Sequence, residues 1–241
     1  MRANIIDHDN GVGLGALSND PFNVNRELYA SARVVDHYAR NETLSESESK
    51  ILARHDAAVR RAELLDIGVG GGRTLPYLRA RAVRYTGIDV SQPMIDRCRE
   101  RFPDAVLLRC DVRDLSPFAD DSFDVAYAIF NGLDELQPDD RLRALGEIRR
   151  VLRPGGLFLF SSHNVGWRGD VRDDPAIVME QMMGVDLPTY YIGPRRQIAQ
   201  LEAAGFETIE ISDVHGDVAN EIASSPDPWL HYVARKIGGA R

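Results

Sequence analysis

The sequence predicts an α/β fold: a doubly wound, mainly parallel seven-stranded sheet, with helices at the N-terminus and a lid inserted after the fifth strand. Three observations predict it. Short apolar runs at 63–67, 84–90, 105–109, 123–130 and 157–162 alternate with helix-forming stretches, the pattern of right-handed βαβ crossovers. A glycine-rich turn, Gly68-Val69-Gly70-Gly71-Gly72, directly follows the first run. Two final runs, 206–211 and 230–236, have no helical stretch between them long enough for another crossover, which predicts an antiparallel edge strand at the C-terminus.

Residues 1–25 are rich in Gly, Asn and Asp and read as mobile; a helix is expected over 26–40, with Leu28, Val34, Val35 and Tyr38 as packing residues. The polar, acidic run 42–50 reads as a solvated connection into a second helix at 51–60. The division expected is therefore 1–60 as a mobile segment and cap helices, and 61–241 as the core, with the lid at about 163–192. After the glycine turn, Leu75 and Leu78 lie one turn apart in a helix over 74–82. Ser91 can cap the helix after the second strand, with Pro93 in its first turn, where a missing N–H costs little. The stretch 139–152 is amphipathic, with Leu142, Leu145, Ile148, Val151 and Leu152 on one face, and Arg153-Pro154-Gly155-Gly156 stops it. In the lid, Met179, Met182 and Met183 with Ile177 either form an adaptable apolar inner face or dock a lid helix on the core. A helix over 194–204 precedes the last two strands.

Composition narrows the function classes. A chain of 241 residues accommodates one full core, or a core with a modest cap. With 44% hydrophobic and 27% charged residues it reads as an ordinary globular protein, and its longest apolar runs, such as 126–130, are too short to span a bilayer. Residues 1–20 show no basic segment followed by an apolar one, so no secretory signal is expected. Cys98 and Cys110 lack metal-type spacing and read as two reduced thiols of a cytoplasmic protein. A net charge of −8 argues against general affinity for phosphate backbones.

The informative segment is Glu63-Leu64-Leu65-Asp66-Ile67-Gly68-Val69-Gly70-Gly71-Gly72-Arg73-Thr74: strand, tight turn, helix. Glycines admit positive φ and let a ligand approach without a Cβ in the way, and the N–H groups of a following helix suit a nucleotide-like molecule bearing a carboxylate. Asp89 ends the second strand, where a carboxylate can accept from two ribose hydroxyls; Asp111 follows the third, where an acid can accept from an adenine amino group. All three features lie at carboxyl ends of successive strands, where open α/β sheets bind ligands.

Taken in order, Asp66-x-Gly68-x-Gly70-x-Gly72, Asp89, Cys110-Asp111-Val112, the run 118–125 and Glu147–Gly156 resemble the motifs of class I S-adenosylmethionine-dependent methyltransferases. The resemblance spans about 63–162 and weakens outside it. It implies S-adenosylmethionine as cofactor, held by Asp66, Gly68, Gly70, Asp89, Val90, Met94, Asp111, Val112 and Phe130, and no metal. It implies methyl transfer to oxygen or nitrogen of a small molecule, as in bacterial tailoring enzymes acting on sugars, amines or secondary metabolites. His163, after the fifth strand, is the candidate general base, with a packed or bonded histidine as the alternative. Tyr29, Asn131, Tyr190 and Tyr191 are the candidate substrate contacts; a turn-forming Asn before Gly132 is the alternative for Asn131. No Asn/Asp-Pro-Pro-Tyr/Phe follows the fourth strand, where Phe130-Asn131-Gly132-Leu133 stands, so a flipped base is disfavoured as substrate. Neither nucleic acid nor membrane is expected as partner, and homodimerisation is left open. Two rival readings remain: a cofactor-binding module without transfer, and a nicotinamide-dependent oxidoreductase. The latter wants a small residue where Arg73 stands.

Overall fold

The computed structural model describes residues 21–169, 173–219 and 225–238; the mobile stretch expected at the N-terminus lies, up to residue 20, outside them. Where one helix was expected over 26–40 there are two, α1 (Asn23–Tyr29) and α2 (Ala32–Ala39), because Ser31 is extended and starts a new helix. Val34 and Val35 of α2 bury against Met94, docking this pair on the core. The acidic run is not a solvated connection. Ser45-x-x-Glu48 forms a capping box: the Glu48 N–H donates to Ser45 Oγ at 3.2 Å and the Ser45 N–H to Glu48 Oε2 at 2.7 Å. This starts α3 (Glu46–Arg54), which α4 (Asp56–Val59) follows.

The core then runs β1 (Glu63–Ile67), α5 (Leu75–Arg79), β2 (Arg84–Asp89), α6 (Gln92–Arg101), β3 (Leu107–Arg109), β4 (Phe123–Ala128), α7 (Pro138–Val151) and β5 (Leu152–His163). After β5 come the hairpin β6 (Ala176–Met182) and β7 (Val185–Tyr191), then α8 (Pro194–Ala203), β8 (Phe206–Ser212) and β9 (Trp229–Lys236). Parallel pairing gives the order β3-β2-β1-β4-β5. Neighbours along a strand face opposite sides, so Leu65, Ala126 and Phe158 pack against α7 and α8, while Leu64, Val125 and Leu159 pack against α3 to α6. Helices thus cover both faces, as a buried parallel sheet requires.

Further expectations need correction. The last strand is antiparallel but is not the edge: β9 pairs with β5 on one side and β8 on the other, which leaves β8 outermost. All seven expected strands are present, and the hairpin brings the sheet to nine. The stretch after β5 is thus mostly strand, turned at Met183-Gly184, both with positive φ (51° and 84°). Its period of two sends Ile177 and Met179 to the exposed face (45% and 58%), so they form no apolar inner face. On α7, Leu142 is exposed and Arg141 is fully buried, the reverse of what amphipathic patterning predicts.

Candidate active site

A cleft enclosing about 1180 Å³, counting its open mouth, lies at the carboxyl ends of β1 to β4. Gly68 and Gly70 form its floor with φ of 73° and 52°. A Cβ at Gly68 would meet nothing within 4 Å, so the glycine leaves room that a side chain would fill. Gly71 serves packing instead: a Cβ there would come within 2.6 Å of Ala39 Cα, and its absence lets α2 lie on the turn. Helix α5 has only five residues, so ligand contact in this quarter falls to the glycine turn rather than to a long helix dipole.

Asp89 pins the turn. Its Oδ2 accepts from Gly70 N–H at 2.9 Å and its Oδ1 from Ser91 N–H at 2.8 Å. Burial pushes its carboxyl above the ordinary range, against the pull of these backbone donors. Lone pairs remain on both oxygens for hydroxyl donors in the cleft. Asp66 does not line the cleft. Its Oδ2 accepts from Tyr85 OH at 2.7 Å and from Thr74 Oγ1 at 3.0 Å, and burial raises its pKa to about 7. It shapes the turn from behind.

Asp111 lines the cleft beside Val112, but its carboxylate is bound by Arg113 at 2.8 Å and by Arg26 of α1. Burial opposes its ionisation; the bonds and charges of Arg113, aided by Arg26, win and hold the carboxyl below its ordinary range. The acid expected to face an adenine amino group is therefore already bridged by two guanidiniums. Val90, Met94 and Phe130 also line the cleft. Phe130 and Asn131 are consecutive left-handed residues (φ 76° and 58°). This strained bend turns the Phe130 ring outward beneath the Arg73 guanidinium, 4.6 Å from the ring centroid. Arg73 in turn grips buried Glu48 of α3 through two bonds of 2.5 and 2.6 Å.

The remaining expected site residues divide. Tyr29 lines the cleft, donating its hydroxyl to Glu135 Oε1 at 3.2 Å. Asn131 and His163 meet behind the wall, with Asn131 Nδ2 at 3.3 Å from His163 Nε2. His163 Nδ1 lies 2.9 Å from Asp134 Oδ2, which also accepts the His163 backbone N–H. That carboxylate calls for a proton on Nδ1 and leaves Nε2 as the acceptor for Asn131. Neither residue is part of the cleft wall. The geometry therefore gives His163 the place of a buttress rather than of a base in contact with substrate. Tyr191 packs on the His163 ring at 4.7 Å and donates to Glu180. Tyr190, expected to border the substrate, is buried at 2% exposure between Arg141 and Gln200, away from the cleft, because its strand turns that side inward.

Two polar clusters at and behind the cleft are not announced by the sequence. Glu135, in a 3-10 turn (Gly132–Glu135) after β4, faces the cleft, and Asn25 Nδ2 donates to its Oε2 at 2.5 Å. Burial pushes its carboxyl up to about 7; the Tyr29 bond works against that and the Asp134 charge adds to it. An acid just past a strand tip was the available signal, masked by the turn chemistry of Asn131-Gly132. Arg141 and Asp134 form a fully buried ion pair joined by Ser162 and Gln197, and nothing in the helical pattern announces it.

Residues 65–160 match the family model of a methyltransferase domain. The chain is 30% identical over 141 residues to the malonyl-[acyl-carrier protein] O-methyltransferase of Salmonella typhimurium, covering 58% of this chain and 55% of the relative. It is 36% identical over 126 residues to a phosphatidylethanolamine N-methyltransferase of Cereibacter sphaeroides, covering 50% and 59%. The chain thus spans somewhat over half the length of these curated relatives. Its fold is that of the Burkholderia thailandensis 1,6-didemethyltoxoflavin-N1-methyltransferase, solved with S-adenosylhomocysteine, at a TM-score of 0.65 and 21% identity over 92% of this chain and 93% of that one. The domain match over 65–160, these curated relatives and the shared fold make this chain similar to class I S-adenosylmethionine-dependent methyltransferases.

Proposed function

We propose that this chain transfers a methyl group from S-adenosylmethionine to an oxygen or nitrogen of a small molecule. The convergence of Gly68, Gly70 and Asp89 on one cleft supports the reading most: an open glycine floor and a carboxylate with spare lone pairs, set at adjacent strand tips. The relatives carry both an O- and an N-methyltransferase name, so their names do not choose the acceptor atom.

The bound cofactor supplies an electrophilic methyl on a sulfonium. In this reading Asp89, which keeps lone pairs beyond its bond from Gly70 N–H, takes ribose hydroxyls, and Gly68 and Gly70 let the methionine end lie against the backbone. Val90 and Val112 form apolar walls for the base. Because transfer discharges a sulfonium, the protein need not stabilise a large new charge; alignment and exclusion of water carry the rate. Helices α1 and α2 serve that end. Tyr29 and Tyr38, 5.9 Å apart, cover the cleft, and Ser91 Oγ donates to Tyr29 O at 3.0 Å, tying the cover to the Asp89 loop. His163 and Asp134 hold the Phe130-Asn131 bend in place.

Calorimetric titration with S-adenosylhomocysteine, followed by a radiolabelled methyl-release assay against mixed amines, phenols and alcohols, tests the proposal. Tight binding with turnover is expected. Binding without turnover on any acceptor class would make the chain a cofactor module, and reduction of a nicotinamide would make it an oxidoreductase.

A further inference from the structure

The cleft wall carries four carboxylates among the described residues, and three of them are committed. Asp111 and Asp140 are paired with Arg113, and Asp89 is tied to two backbone N–H groups of the cofactor loop. Glu135 differs. Its partners among the described residues are two neutral side-chain donors, Tyr29 OH and Asn25 Nδ2, and no guanidinium or ammonium. A carboxylate has about four acceptor positions, so two stay open. Beside it Asn25, 2% exposed, leaves its Oδ1 without a partner. The amide orientation is set by its neighbours, since Nδ2 donates both to Glu135 and to Pro188 O at 3.0 Å. Spare lone pairs on a carboxylate thus stand on the same cleft as an amide oxygen that has no donor.

Their surroundings narrow the ligand. Phe22, Tyr29 and Tyr38 line the same cleft with Leu133 and Leu136. Aromatic faces attract a cation and exclude water from it, and a carboxylate completes its recognition. The place also fits an acceptor rather than the cofactor. Asn25 joins α1 to β7 and to the turn after β4, so Glu135 sits where the N-terminal cover and the hairpin meet, on elements other than those that carry the glycine turn and Asp89.

Resting on the methyltransferase reading above, we propose that Glu135 and Asn25 bind the protonated nitrogen of a primary or secondary amine carried on an aromatic or apolar body, and that Glu135 takes its proton so that nitrogen is the methyl acceptor. The ammonium gives one proton to the Glu135 carboxylate and keeps a hydrogen bond to Asn25 Oδ1. The freed lone pair forms the nitrogen–carbon bond as the carbon–sulfur bond breaks. That bond's electron pair stays on sulfur, leaving a neutral thioether and an N-methylated ammonium. Glu135 returns the proton to water at the open mouth. The high carboxyl pKa that burial imposes on Glu135 suits it to hold a proton between turnovers.

The test uses the full chain saturated with S-adenosylhomocysteine, titrated with phenethylamine, tyramine and tryptamine and with the matched alcohols phenethyl alcohol, tyrosol and tryptophol. The amines should bind at least roughly tenfold tighter than their alcohols, as one charge-assisted hydrogen bond implies. With labelled S-adenosylmethionine the label should appear on nitrogen. Glu135→Gln should erase the preference for amines while leaving S-adenosylhomocysteine affinity within about twofold, which also shows that the variant is folded. Equal binding of amines and alcohols, a preference surviving in Glu135→Gln, or weakened cofactor-product binding in that variant would each overturn the proposal. If the wild-type chain fails to bind S-adenosylhomocysteine at all, the methyltransferase reading itself falls, and this one with it.

Discussion

Replacing Asp89 by alanine tests the cofactor half of the cleft directly. The carboxylate makes two structural bonds, to Gly70 N–H at 2.9 Å and Ser91 N–H at 2.8 Å, and offers its remaining lone pairs to the cleft. A hydrogen bond to a charged group contributes about 1.5–3 kcal/mol net, so removing the carboxylate from a ribose hydroxyl should weaken S-adenosylhomocysteine binding roughly 10- to 150-fold. The structural bonds add a separate cost. Their N–H groups lie at the edge of an open cleft, where water can replace part of what is lost, so about 1–2 kcal/mol of stability should go as well. Calorimetry reads the first effect and urea denaturation the second, and Asp89→Asn, which keeps the shape without the charge, should fall between wild type and alanine. An Asp89→Ala protein that stays folded and binds S-adenosylhomocysteine within threefold of wild type would refute the ribose role and the convergence argument built on it.

Three other perturbations probe what supports the cleft. Arg141→Met should destabilise the chain by about 3–5 kcal/mol in urea, because buried Asp134 loses its 2.5 Å ion-pair partner, and adding Asp134→Asn should recover much of it; a loss under about 1 kcal/mol would show that the pair is not the clamp described. The Asp66 carboxyl, raised by burial from its ordinary 3.8 to about 7, makes the folded state bind more protons than the unfolded one between those values. Its contribution to stability is thus fully present below about pH 4 and lost as pH rises to about 7, so the stability difference between wild type and Asp66→Asn should shift against wild type by up to about 4 kcal/mol across that window; a difference that stays flat would contradict the burial argument. Gly71→Ala forces a Cβ to 2.6 Å from Ala39 Cα, so α2 must lift, at a cost of about 1–3 kcal/mol, and S-adenosylhomocysteine should bind more weakly through the loosened cover. Unchanged affinity and melting temperature would mean that α2 does not rest on the turn.

That Gly68, Gly70, Asp89, Asp111 and Val112 share one cleft was legible because their signal is local. They fall at strand ends, and strand ends are where hydrophobic periodicity breaks. Ser45-x-x-Glu48 is a capping box written in the sequence, and it outweighs the acidity of 42–50 that suggests a solvated connection. The hairpin was illegible for another reason. A short Met- and Val-containing run fits strand and helix alike, and only the turn at Met183-Gly184 separates them. The last strand's direction could be inferred, but its position between β5 and β8 depends on which edge was free once β4 had taken the other side of β5.

From the linear chain follow the order of strands and helices, the glycine turn whose positive φ larger residues rarely adopt, and the acids that end successive strands. These are properties of neighbours in sequence, set by φ, ψ and period. The Glu135 cluster obeys no such rule. Glu135 draws Asn25 from 110 positions away, and Asn25 reaches Pro188 a further 163 from itself, so the cluster exists only when three distant segments pack together. Likewise, Arg141 on a helix that should have turned an apolar face inward is buried because Asp134, Ser162 and Gln197 meet it there. Charge becomes tolerable inside a protein only when partners from elsewhere surround it, and partners from elsewhere are what a local pattern does not contain.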